Sequence, residues 1–373
     1  SLASGGLGRH SRDELSSVLA GRSVSIGLSS GPDAFTFSAT TTPRDLDLQL
    51  RVIAALITDP GNRREGEEQY RRSIANFFAT RDATPGRALT SALGGILSDG
   101  DPRFTLQSQR AFEALNFARL KRDIGERLEQ GAIEIALVGD IVERDAIAAV
   151  ATTLGALPTR EAEFLPRPEA RQRSFTAKRG QRIVIHRGEA NQALVQMIWP
   201  TTDDRDQDET LRLTLLARVA QIALTERLRE ELGQTYSPSA GSSNSRIYPG
   251  YGTFTLSATA AADQIATVQA AMRALAADLA ARPVDADMLE RAARPLLESY
   301  DNALKDLGGW LGLAARAQSQ PDRLTRWHTA PALIRAITPE SLQQTAQTYL
   351  GSAVPVEVLV VPEATAITLD GAK

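Results

Sequence analysis

The hexapeptide FTFSAT at residues 35–40 returns as FTLSAT at 254–259, with Phe37 against Leu256 the only difference and 219 residues between the copies. A strand-like stretch written twice at that distance constrains this chain more than any other feature, because self-similarity over a long period is the mark of a duplicated structural unit. At the same offset Leu46, Ile53 and Leu56 fall opposite Ile265, Met272 and Leu275. Both sets have the spacing of an apolar helix face following the strand. Each copy then has a second helical pattern, REGEEQYRRSIANFF beyond Pro60 and DADMLERAARPLLESY beyond Pro283. With four residues gained, IEIALV at 133–138 matches VEVLVV at 356–361, and both read as buried strands. The expected organisation is a first repeat over 1–160, a linker over 161–176 containing EAEFLPRPEARQRS, and a second repeat over 177–373. Proline and charge without periodicity mark the linker.

The second repeat predicts an α+β fold. RIVIHRG and ALVQMIWP read as strands. Residues 205–232 read as a helix apolar on more than one face and therefore largely buried. TYSPSAGSS and YGTFTLSAT are expected to form paired strands, followed by helices over about 262–281 and 285–303, further helices, and the terminal strand. Strands joined by hairpins and helices run in series imply two homologous domains, each a mainly antiparallel sheet covered by helices on one face. The first repeat starts opposite a point already late in the buried helix of the second. It is expected to lack its opening strands, which upstream sequence or another chain would supply.

Composition excludes several functions. Lys and Arg (42) are interspersed with Asp and Glu (45) for a net charge of −3, so no concentrated basic face is expected for nucleic acid or an anionic membrane. There is no cysteine, which removes disulfides and thiolate metal ligands. No apolar run approaches the ~20 residues of a membrane span.

RLREELGQTYSPSAGSS at 227–243, followed by YPGYGTFTLSATA and a paired-helix segment, resembles the C-terminal half of the pitrilysin/insulinase family of zinc peptidases. IALVGDI, LGALP and PESLQQTAQTYL occur in the order expected of that family. The resemblance implies a clamshell of two halves, each built from two homologous α+β domains, with this chain as one half. The family's zinc site uses an inverted H-x-x-E-H helix. This chain has only His10, His186 and His328, no two close enough to share a helix face, so no zinc centre and no other cofactor are expected here. Zinc is expected in a partner half, upstream in the same polypeptide or on a second chain.

Arg229 and Tyr236 match the family pattern. The resemblance implies that they reach across the closed chamber and hydrogen-bond the substrate carbonyl, stabilising the oxyanion that develops on attack. Gly233 between them sits where a helix C-cap requires a left-handed residue, so the chain can reverse there. Aligning Gly21 with Gly233 places Ser17 opposite Arg229 and Val24 opposite Tyr236, so the fold itself does not demand the pair. The plainer reading makes Arg229 a solvated helix arginine pairing with Glu226 or with the neighbours of Glu230, and Tyr236 a half-buried strand aromatic.

The expected function is the non-zinc half of a metallopeptidase, inactive alone and forming one wall of a chamber for unfolded peptides. The alternative is an inert scaffold of the same fold. The resemblance permits periplasm or cytoplasm. GGLG at 5–8 and LGGILSDGD at 93–101 read as loops, and TTDDRDQDE at 201–209 as the capping segment of the buried helix. Trp310 in GGWLGLAARAQSQ is expected in a core or a contact between halves.

Overall fold

A computed structural model of the chain describes residues 2–232 and 237–370. The fold is α+β. It divides into two compact units, neither continuous in sequence: Ser1–Phe78 with Ser108–Pro166 and Leu304–Arg323, and Ala79–Gln107 with Arg167–Ala303 and Leu324–Lys373.

The first unit contains a hairpin of β1 (Gly27–Ser30) and β2 (Phe35–Ser38), antiparallel with Leu28 opposite Phe37. A 3-10 turn, Pro43–Asp45, leads into the helix Leu46–Thr58. Leu46, Leu50, Ile57 and Leu154 form the buried centre, with Phe37, Ile53, Ile135 and Leu137 packed on it. The expected strand over 133–138 is not one: Ile135 and Leu137 enter the core at alternate positions, but the segment joins no ladder among the described residues. Period-2 apolarity sets which side chains face inward, whereas a strand also needs a neighbouring backbone to bond.

Asp45 is 1% exposed at the entry to that helix. It accepts the Ser23 N–H at 2.9 Å and pairs with Arg22 at 3.1 Å. The Ser23 N–H, followed by bonds from Arg44 and Arg22, holds the Asp45 carboxyl below the ordinary 3.8. A depressed carboxyl stabilises the folded state above its ordinary range, and that contribution disappears as pH falls through the lowered value. Below about pH 4 the stability gap between the parent and Asp45→Asn is therefore expected to narrow progressively, as read by denaturant unfolding across an acid series. A gap constant with pH would contradict this.

The second unit is built on a five-stranded sheet: β3 (Gly180–His186), β4 (Gln192–Thr201), β5 (Pro238–Asn244), β6 (Gly252–Ala261) and β7 (Val356–Pro362). The order is β3-β7-β4-β6-β5, parallel between β3 and β7 and antiparallel elsewhere. β7 is buried along its whole length, which accounts for its nearly unbroken apolar sequence VEVLVVP. Val195, Met197, Trp199, Phe254, Leu256 and Leu359 point to one face, covered by the long helix Gln207–Leu232 and the helix Ile265–Ala281.

The opposite face is covered as well, in contrast to the one-face expectation. Ala88, Leu89 and Leu97 of the helix Pro85–Leu97 pack on Leu194, Ile198, Val356, Val358 and Val360. That helix also corrects the loop reading of residues 93–101, since Leu93–Leu97 form its last turn. Gly94 and Gly95 are there for close approach: a Cβ on Gly94 would lie 2.0 Å from the Phe104 carbonyl oxygen.

The acidic run caps as expected. Asp206 accepts the Glu209 N–H at the start of the long helix, and Asp203 accepts the Gly250 N–H at 2.6 Å, tying down the turn between β5 and β6. The 3-10 turns Pro43–Asp45 and Ala262–Gln264, and the helices starting at Leu46 and Ile265, keep the 219-residue offset of the two hexapeptides. Trp310 is 50% exposed on the helix Leu307–Ala314, so it is not a core residue.

Candidate functional site

The long helix Gln207–Leu232 positions the candidate site. Leu213, Leu215, Leu216, Val219, Ala220, Leu224 and Leu228 are all but completely buried along it, so burial on several sides holds it in place. Arg229 lies in its last turn, exposed, where a cation complements the negative end of the helix dipole.

One acidic partner that the plainer reading offered to Arg229, Glu226, is engaged elsewhere. Glu226 pairs with Arg291 at 2.7 Å, from the neighbouring helix Ala286–Ala303. Arg227 pairs with Asp278 at 2.5 Å and holds that carboxyl below its ordinary range. Arg229 itself makes no ion pair with another described residue. Its guanidinium is thus presented to solvent without a described counter-charge. Tyr236 and Gly233 lie outside the described residues.

Sequence reading missed Gln221, about two turns before Arg229 on the long helix. Its side-chain amide donates to the Pro238 carbonyl at 2.9 Å and accepts the Ala240 N–H at 2.7 Å. Both groups belong to β5, the edge strand. Ser245 N–H bonds the Tyr251 carbonyl, in step with a register in which Ser239, Gly241 and Ser243 bond β6 and the even-numbered residues face outward. Gln221 therefore does for two outward groups what another strand would do. The available signal was one amide in the otherwise apolar stretch VAQIAL.

The histidines do not suit a metal. His186 is 1% exposed, with one ring nitrogen accepting the Gly188 N–H at 3.1 Å and the other donating to the Gln192 carbonyl at 2.7 Å. His328 packs edge-on against Trp327. Among the described residues no group of three or more His, Cys, Asp or Glu side chains is placed to hold an ion.

The second unit is an α+β unit with helices on both faces of its sheet, a long buried helix and an adjacent edge strand, and it carries no ligand cluster among the described residues. Residues 114–296, just under half of the chain, match the family described as Peptidase M16 inactive domain.

No curated protein matches the sequence. Among solved structures, the chain is similar to a protease from Helicobacter pylori at 14% identity and TM-score 0.79, covering 97% of this chain and 88% of that one. It is similar to a peptidase M16 inactive domain from Pseudomonas fluorescens at 17% identity and TM-score 0.79, covering 97% and 86%. A third likeness is to the periplasmic protease PqqL from Escherichia coli, at 16% identity and TM-score 0.77 over 97% of this chain. The chain spans 40% of the length of that protease. At these identities the structural likenesses establish the fold.

Proposed function

We propose that this chain forms one wall of a peptide-cleaving chamber and contacts the substrate carbonyl through Arg229 and Tyr236, while a zinc-bearing half, fused upstream or carried on a second chain, provides the attacking group. The observation that carries this reading is the exposed Arg229 guanidinium, free of described carboxylates, at the end of a helix fixed by burial. A guanidinium keeps its charge at any working pH, and a phenol donates without one, so both suit an oxygen that gains negative charge. Unfolded peptides are the substrate class. The recurrence of strand, 3-10 turn and helix at one offset supports descent of the two repeats, 1–160 and 177–373 around the linker 161–176, from one duplicated domain.

Mixing the purified chain with its zinc-bearing half and following cleavage of a quenched fluorescent peptide tests the reading. Turnover is expected in the mixture and from neither component alone. A mixture no more active than the zinc-bearing half would favour the scaffold reading.

A further inference from the structure

Beside the outer edge of β5 lies a cleft of about 430 Å³, walled by the long helix and the helix Ala286–Ala303. Gln221 occupies only the Pro238 carbonyl and the Ala240 N–H. The Ala240 carbonyl and both backbone groups of Ser242 also face outward in this register, and no described side chain takes the Ser242 N–H. The strand sequence PSAGSSN carries only small side chains along that edge, which leaves its backbone approachable.

Arg218 lines the same cleft one helical turn before Gln221. It is half-buried and makes no ion pair or side-chain hydrogen bond with another described residue. Arg291, across the cleft, is already neutralised by Glu226 at 2.7 Å and Asp287 at 3.8 Å. One uncompensated guanidinium therefore sets the charge of the cleft. Pro295, also on its wall, has no N–H, so the Arg291 carbonyl lacks its helical partner and remains an acceptor.

We infer that the cleft binds an extended peptide segment as a sixth strand on β5, with an acidic side chain of that segment paired to Arg218. Backbone bonding to Ala240 and Ser242 supplies affinity without regard to sequence, and the carboxylate supplies preference. The inference rests on the proposed function only for its ligand class, a peptide. It requires neither Arg229 nor the zinc-bearing half.

The test measures fluorescence anisotropy of the chain alone with a fluorescein-labelled ten-residue peptide of alternating Thr and Val around a central Glu. Its Gln counterpart, and the Glu peptide N-methylated at alternate amides, serve as comparisons. The Glu peptide is expected to bind about tenfold more tightly than the Gln peptide, as suits a charge-assisted bond. Arg218→Gln should erase that preference. Ser242→Pro, tolerated because its N–H faces outward on an edge strand, and N-methylation should each weaken the Glu peptide at least about tenfold. Equal binding of the Glu and Gln peptides to the parent, a preference surviving Arg218→Gln, undiminished binding of the N-methylated peptide, or no binding at all would each overturn the inference. Cleavage by the assembled halves without this binding would sink the cleft and leave the proposed function standing; the converse result would do the opposite.

Discussion

Arg229→Ala and Tyr236→Phe are each expected to lower kcat/KM of the assembled enzyme about a hundredfold, the loss that follows removal of one donor to a developing oxyanion. The fall should appear in kcat with little change in KM, because a donor matched to the transition state contributes little to ground-state binding. Phe keeps the ring and removes only the hydroxyl. Arg229→Lys keeps the charge and loses the forked geometry, so it should recover part of the rate. Arg229 lies at an exposed helix end, and its replacement should leave unfolding of the chain nearly unchanged. Full turnover by either variant would remove the pair from the chemistry. A rate loss matched by a stability loss would return Arg229 to a structural role.

Arg273→Ala should cost about 3 kcal/mol of folding stability, the low end of the range for breaking a buried ion pair. Glu357 is the second residue of β7, 5% exposed, on the face covered by the helix Ile265–Ala281. Arg273 donates to its two carboxylate oxygens at 2.8 and 2.5 Å, and Gln269 adds a bond at 2.9 Å. Removing the guanidinium leaves a carboxylate in the core with one amide partner. The low end applies because the Arg273 side chain is 57% exposed, so water reaches the vacated position. Glu357→Gln should cost less, since an amide needs no counter-charge while Arg273 can turn to solvent. Urea denaturation of the three proteins decides the matter, and equal midpoints for parent and Arg273→Ala would refute it.

The elements around the site were largely legible because their residues report local geometry. The long helix was read as 205–232 and spans Gln207–Leu232, since Leu recurs on several of its faces. VEVLVV was read as a buried strand and is β7, where sheet neighbours and helices cover both faces. IEIALV carries the same alternation but no strand, because a ladder requires a partner backbone that side-chain order does not encode. The Pro85–Leu97 helix was hidden for a related reason. Gly94 and Gly95 resemble a loop until the backbone of Phe104 and the side chain of Thr105 are seen to pass beside them.

By itself the sequence determined the α+β class, the capping of the long helix by its acidic run and the lack of any paired histidine motif, all of which follow from residue type and spacing along one segment. Tertiary structure decided which helix covers the second face of the sheet, that Glu226 serves Arg291 and leaves Arg229 free of it, and that Gln221 and Arg218 meet beside the edge of β5. Those outcomes join groups distant in the chain, and a side chain's partner is set by where folding brings other backbones and charges.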